Sequence, residues 1–375
     1  MEISVRQLPG LDSDERCYVH ARGLVTQEGF GIITMQKLEL SGIDVFYGIE
    51  IMKSYDGGAT FSAPEMSKTL VRRYMEDGSS VAICDCTPFY HKATGKIIIT
   101  GHLATYGPDN ELLYLPECRR CPAYAVYNEA TGDFDDYKLI ELPREDRYDS
   151  SGAGCSQICE LPSGDILMPI YYRSQKEAQD IWSSCSKVSV LRCSFDGENM
   201  ALLEIGNEMS TTVLRGLGEP SVIRYGDEYM LTIRNDETGY VTKSLDGLHY
   251  EPIRELSFDN GENLGNYNTQ QHWLVGGGKL WLVYTRRAGF NDRIFRHRAP
   301  LFIAEFDPKR MCVVRDTERI AVPMRGARLG NFGVQSYSEQ TGYVFVSEWM
   351  QGNEGLEGCR RYGSDNSIFI SEIKY

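Results

Sequence analysis

The sequence is poor in the features that mark several large protein classes. No stretch approaches the roughly 20 consecutive apolar residues that cross a bilayer as a helix. The amino terminus, MEISVRQLPGLDSDE, has no basic segment followed by an apolar run, so a secretory leader is not expected. Positive charge is short, with 39 lysines and arginines against 53 aspartates and glutamates and a formal net charge of −14. A surface of that sign repels phosphate backbones and anionic headgroups, so neither nucleic acid nor a membrane is an expected partner. There are only six histidines, and no HxxxH or comparable spacing marks a metal site. Long amphipathic helical patterns are missing too, which leaves strands to build the core.

Cysteine is not scarce. Eleven are present, an odd number that cannot pair completely within one chain, and without a leader they are expected as reduced thiols in the cytoplasm. They cluster as Cys84-x-Cys86, Cys118-x-x-Cys121 and Cys155-x-x-x-Cys159. A zinc site would need four soft ligands around one centre, and no second close-spaced pair complements Cys118 and Cys121. The alternative is small buried hydrophobes in strands. The length of 375 residues and a hydrophobic content of 42% are ample for a sizeable core.

Strand-like runs dominate the chain: GIITMQKL, KIIITG, DILMPIYY, EYMLTIR, KLWLVYTR and YVFVSEW. They are rich in Ile, Val, Leu, Tyr and Trp, and each follows a turn containing glycine. The turn glycines are Gly29, Gly95, Gly164, Gly226, Gly278 and Gly342, spaced 52 to 69 residues apart. A near-fixed period with several short strands per unit predicts an all-β fold, a six-bladed β-propeller of about four strands per blade. A blade cannot bury both faces alone, and packing around an axis does that for it. The terminal SIFISEIKY alternates like a strand, and with MEISVRQL it is positioned to close the ring in one shared blade. No linker or compositional break interrupts residues 1–375, which read as one domain.

Residues 54–61, SYDGGATF, follow a Ser-x-Asp-x-Gly-x-Thr-aromatic pattern. It suits a hairpin between a blade's outer strands, with Asp56 capping the turn and glycine supplying positive φ. Weaker echoes begin at Ser194 and Ser244. Six blades carrying this Asp-box hairpin resemble the sialidase (neuraminidase) superfamily and the related BNR-repeat proteins. The resemblance implies an axial pocket in which three arginines grip a sugar carboxylate, an aspartate is acid and base, and a glutamate prompts a tyrosine nucleophile.

Carried onto this chain, the resemblance gives Glu219 and Arg234 in GLGEPSVIRYGDEYMLTIR, at the two ends of one hairpin. Asp44, ten residues before Ser54, takes the acid/base position. The first arginine position holds His20, and Arg22, two residues on, is expected to share its strand face. Blade five supplies a basic cluster of Arg286, Arg287, Arg293, Arg296 and Arg298, of which Arg298 best matches the third arginine and Arg286 is a further substrate-binding candidate. In blade six the tyrosine position falls near Asn331–Val334, and Tyr337 is about three residues out of register, on the other face.

Further polar candidates at inner-strand ends are His102, Gln157, Gln271 and His272. His20, His102, His272 and His297 are expected at the axial pocket, and His91 and His249 at peripheral hairpins. With Gln, Glu or Asp, such histidines also suit a divalent metal, although no cofactor is required. The reading that follows is a glycan-active enzyme, an exo-acting glycosidase for a small oligosaccharide with a carboxylated or otherwise acidic sugar, and not an ordinary sialidase. Asp44 and Glu219 would be its acid and base. The alternatives are a uronic-acid lyase with His20, His102 or His272 as base, and a non-catalytic sugar-binding propeller.

Overall fold

The computed structural model describes all residues except Ile43, 114–119 and 179–182, and of Gln175 only the backbone. Six antiparallel sheets follow one another along the chain. Blade one contains Arg16–Val25, Gly31–Glu39, Phe46–Ser54 and Glu65–Met66, and blade two is built on Ser80–His91, Lys96–Tyr106 and Pro122–Asn128. Blade three runs from an interrupted inner strand, Ser150–Gly152 and Cys159–Glu160, through Ile166–Arg173 and Cys185–Phe195 to Met200–Ile205. Blade four has Gly218–Tyr225, Glu228–Arg234, Tyr240–Ser244 and Arg254–Glu255. Blade five has His272–Gly276, Lys279–Tyr284 and Leu301–Asp307, edged by Cys312–Val313 and Arg319–Val322.

Blade six joins the two chain ends. Gly333–Ser336, Thr341–Ser347 and Ile368–Lys374 are completed by Glu2–Leu8, which pairs antiparallel with Ile368–Lys374 from Glu2 opposite Lys374 to Leu8 opposite Ile368. The first strand of each blade lies against its neighbours around the axis. Central strands are covered on both faces by adjacent blades, so Ile166–Arg173 is buried along nearly its whole length and its sequence reads as a continuous apolar run. Trp273, fully buried, packs edge-on to Phe306, and its indole donates to the Ser221 carbonyl at 3.0 Å, tying blade five to blade four. Among the described residues no helix is long and apolar enough to cross a membrane.

Five of the six repeat glycines sit in turns with φ between 62° and 89°, the left-handed region that glycine enters at least cost. Gly342 differs. It lies inside the strand Thr341–Ser347, where a Cβ would stand 2.4 Å from the Tyr375 hydroxyl, so close approach and not turn geometry requires it.

The 54–61 hairpin follows the third strand of blade one. Asp56 accepts from the Thr60 amide at 2.9 Å and its hydroxyl at 2.6 Å, and Ser54 Oγ accepts from the Gly58 amide at 2.9 Å. The Thr60 and Ser54 bonds hold the Asp56 carboxyl down to about 2. Arg6 of the closing strand donates to the Gly58 and Ala59 carbonyls, locking the termini to this turn. The Ser244 echo has the same wiring, with Ser244 Oγ 2.8 Å from Asp246 Oδ1.

Of the cysteines, Cys84, Cys86 and Cys155 are buried, with burial raising each thiol, Cys84 to about 12. Cys118 falls outside the described residues. Among the described residues no three His, Cys, Asp or Glu side chains come together to hold a metal ion.

Candidate functional site

In or just before its inner strand each blade has a non-glycine residue in the left-handed region: His20 (φ 58°), Asp85 (58°), Cys155 (57°), Glu219 (44°), Asn268 (56°) and Asn331 (67°). Three of them sit in irregularities of the strand register, between Val19 and Arg22, Cys84 and Thr87, and Gly218 and Ser221. A bulge turns a side chain that regular pleating would send into the blade, and strained backbone of this kind persists where the surroundings over-determine it. The six positions form a ring, and above it lies a cavity of about 410 Å³.

The cavity is lined by loops that enter the inner strands and loops that follow the second strands. It collects seven arginines against four carboxylates, a basic well in a chain of net charge −14. Arg234 on blade four is neutralised by Glu219, with Asp236 Oδ1 at 3.2 Å. Arg215 pairs with Asp236 at 2.8 Å. Arg296, Arg298 and Arg328 have no carboxylate bonded to them among the described residues.

Those three are held by neutral groups. The Asn268 side-chain oxygen accepts from Arg234 at 2.8 Å, Arg296 at 3.0 Å and Arg298 at 3.1 Å, so one amide dipole faces three cations. Arg298 also donates to the Asn268 carbonyl, and Gly330 leaves the room its side chain needs. Arg328 stacks on Trp349 at 3.7 Å from the ring centroid and bonds Gln351 at 2.7 Å. Burial, reinforced by Arg234 and Arg328, pushes the Arg298 guanidinium well below its usual range. Burial pushes Arg328 down to about 10, with Arg296 adding to the effect and Asp44 opposing it. The Nε atoms of Arg298 and Arg328 are buried without a hydrogen-bond partner. Three crowded guanidiniums held by neutral partners have the chemistry to bind an anion.

Asp44, Glu219, His102, Arg234 and Arg298 all line this cavity. Six other sequence candidates do not. Arg22 is fully buried and shares no face with the cavity. The register shift between Val19 and Arg22 breaks the two-residue alternation, and its guanidinium donates to the Phe332, Asp85 and Cys86 carbonyls and to Cys155 Sγ. His20 lies below the floor, with Nδ1 3.0 Å from Asp85 Oδ1 and Nε2 2.7 Å from the Asn331 amide, against Phe46 and Trp349. Arg286 is paired with Glu318 at the outer part of blade five, beside Phe302. Gln157 stitches blades together through the amide and carbonyl of Trp273, and Gln271 bonds the Thr269 carbonyl.

His272 is buried against Phe332 with Nδ1 2.8 Å from Ser221 Oγ. His297, also expected at the axis, is held outside the cavity by Tyr267 and Asp292. His91 and His249 occupy hairpins as expected, bonded to the Gly164 carbonyl at 2.7 Å and to Asp246 at 2.8 Å.

The sequence reading missed Asp85, Arg120, Tyr171, Arg328 and Trp349, all of which line the cavity. Asp85 had a usable signal. It lies ten residues before Gly95, as His20 lies nine before Gly29, so the repeat register places both at one level. Asp85 Oδ2 is 3.6 Å from His102 Nε2, and His102 Nε2 is 2.7 Å from Arg120 Nη2. Burial acts to raise the Asp85 carboxyl, but His20, His102 and Arg22 outweigh it and hold it well below the carboxylate range. His102 is pushed well below its ordinary value by burial and Arg120, and His272 by burial and Arg22, to about 3.

Both histidines are therefore buried neutral, and the unfolded chain takes up their protons first as pH falls. Their contribution to stability is full above about pH 6.5 and is lost below it, at up to about 1.4 kcal/mol per pH unit for each group. Urea unfolding is expected to give a clearly lower stability at pH 5 than at pH 7. A profile flat over that interval would show that the two rings are accessible.

No family model and no curated protein matches this sequence. Solved structures do match its shape. A protein of unknown function from Dyadobacter fermentans superposes with a TM-score of 0.67 at 12% identity, covering 99% of both chains. A Trypanosoma rangeli sialidase matches with a TM-score of 0.61 at 10% identity, over 98% of this chain and 59% of that one. A Hadza microbial sialidase gives 0.62 at 13%, over 97% of this chain and 66% of that one. The fold is the sialidase-like six-bladed β-propeller. Within it, blade four has the Glu219–Arg234 pair, blade five Arg298, and blade six places Asn331 at the cavity.

Proposed function

We infer that this sialidase-like propeller is an exo-acting glycosidase for a carboxylated sugar. The observation that carries the reading is the group of Arg296, Arg298 and Arg328, cations with no carboxylate bonded to them among the described residues, converging on the axial cavity. A sugar carboxylate offers two oxygens to forked donors and relieves a repulsion already built into the site. Asp44 and Glu219 stand in the same cavity as carboxylates able to activate water or stabilise developing positive charge. A well at the centre of the ring, and not a long cleft, suits removal of a terminal residue.

A panel of methylumbelliferyl glycosides tests this. Glycosides of sialic acid, other ulosonic acids and the uronic acids are set against their neutral counterparts. Fluorescence is expected from at least one acidic glycoside and from no neutral one; release from neutral glycosides alone would remove the basis of the reading. The second reading, β-elimination from a uronic acid, draws on the contact of His102 and Tyr171 with Arg120. It predicts ultraviolet absorbance from an unsaturated product, with no release of a saturated sugar.

A further inference from the structure

On the side of the cavity away from Arg296, Arg298 and Arg328, blades two and three bring together Arg120, His102 and Tyr171. Tyr171 stands on the second strand of blade three, opposite Gly152 of the inner strand. Arg120 Nη2 donates to the Tyr171 hydroxyl oxygen at 2.9 Å and lies 2.7 Å from His102 Nε2. His102 is fixed from below by Asp85 and from the side by Gly154, where a Cβ would stand 2.2 Å from its Nδ1. The imidazole lone pair at Nε2 thus faces a guanidinium, which makes His102 a support for Arg120 and a poor base toward a sugar.

The Tyr171 hydroxyl has one feature that nothing around it uses. Its oxygen accepts from Arg120, but among the described residues no group accepts its proton, although the side chain lines the cavity. A phenol whose oxygen is held by a cation and whose proton has no protein partner is a donor directed at whatever fills the space. We propose that Tyr171 is the general acid of this site, protonating the glycosidic oxygen as the sugar–oxygen bond breaks. The proposal rests on the glycosidase reading above and departs from its family resemblance, in which an aspartate at the Asp44 position has that task.

The step balances within the site. The Tyr171 O–H bond breaks, its proton goes to the glycosidic oxygen, and the electron pair of the breaking bond leaves with that oxygen. The phenolate is left 2.9 Å from the Arg120 guanidinium, a charge-assisted contact stronger than the one to the neutral phenol. Water adds to the anomeric carbon on the face toward Asp44 and Glu219, and the proton it loses returns through a carboxylate to Tyr171. Burial pushes the phenol up, with Arg120 opposing it, so the proton is in place near neutral pH.

Leaving-group dependence tests the role. A dinitrophenyl glycoside needs no protonation to depart, whereas an alkyl glycoside does. On the acidic sugar that the wild type accepts, Tyr171→Phe is expected to lose about 10²-fold or more in kcat on the alkyl glycoside and little on the dinitrophenyl one. Circular dichroism and thermal melting check that the variant is folded. A loss equal for both leaving groups would mean that Tyr171 acts only in packing or binding and would overturn the proposal. Asp44→Asn run in parallel is expected to lose activity on both substrates; if it alone shows the leaving-group gradient, Asp44 is the acid and Tyr171 is not. A wild type that turns over none of the acidic glycosides sinks the glycosidase reading, and the general acid with it.

Discussion

Arg298→Met is expected to raise the melting temperature of the protein while lowering kcat/KM on the acidic glycoside by about 30-fold to about 5 × 10³-fold, the loss that follows when a buried charge partner worth about 2–5 kcal/mol is removed. The two effects have opposite signs for one reason. Arg298 is 3% exposed, its Nε has no partner, and its nearest charges include Arg234 and Arg328. It is a desolvated cation among cations, and replacing such a group by an apolar side chain of similar length is expected to stabilise the fold. On the proposed reading, a bound carboxylate makes the same cation the centre of the grip. Differential scanning calorimetry and initial rates on one preparation read both effects. If stability and activity fall together, Arg298 is a strut of the blade-five loop and the anion site lies elsewhere.

Arg22 shows why this contrast could not be read from sequence. Both arginines are deeply buried near the axis, yet Arg22 has three carbonyls and a thiol around its guanidinium while Arg298 has one asparagine. The acceptors of Arg22 come from Phe332 beside blade six, Asp85 and Cys86 of blade two and Cys155 of blade three, each far away in sequence. Charge and approximate position were legible; the partners were not. The architecture was far more legible, because turn glycines and apolar strands recur locally with the period of the blades. Even the closure of blade six by Glu2–Leu8 followed from two alternating terminal segments.

The strand-face arguments fared unevenly, and the bulges explain it. Glu219 and Arg234 meet across a hairpin as their spacing implied, although Glu219 itself sits at φ 44° in an irregular stretch. Alternation failed for His20 and Arg22 because the strand departs from regular pairing between Val19 and Arg22. A period-two rule holds only where the pleat is regular. Tyr171 and Arg328 carried no motif at all. Their proposed roles rest on a proton that no described residue accepts and a charge that no described carboxylate bonds, which only the assembled ring displays.

Asp85→Asn is expected to have the largest effect on stability, a loss of about 3–5 kcal/mol at pH 7, the usual cost of removing one member of a buried charged network. His20, His102 and Arg22 all act on the Asp85 carboxylate: Oδ1 is 3.0 Å from His20 Nδ1, and Oδ2 is 3.6 Å from His102 Nε2. An amide of the same shape keeps one acceptor but surrenders the charge that offsets Arg22 and Arg120. The pH dependence separates this from a packing defect. Because the folded carboxyl is held below its unfolded value of about 3.9, its contribution is full above about pH 4 and is lost as pH falls through the lower folded value. The gap in unfolding free energy between wild type and Asp85→Asn should therefore be wide from pH 7 to 5 and narrow below about pH 4. A gap that stays constant into acid would assign the loss to shape alone. Since the same carboxylate steadies His102, and through it Arg120 beside Tyr171, the variant should also lose turnover at neutral pH even in the fraction that remains folded.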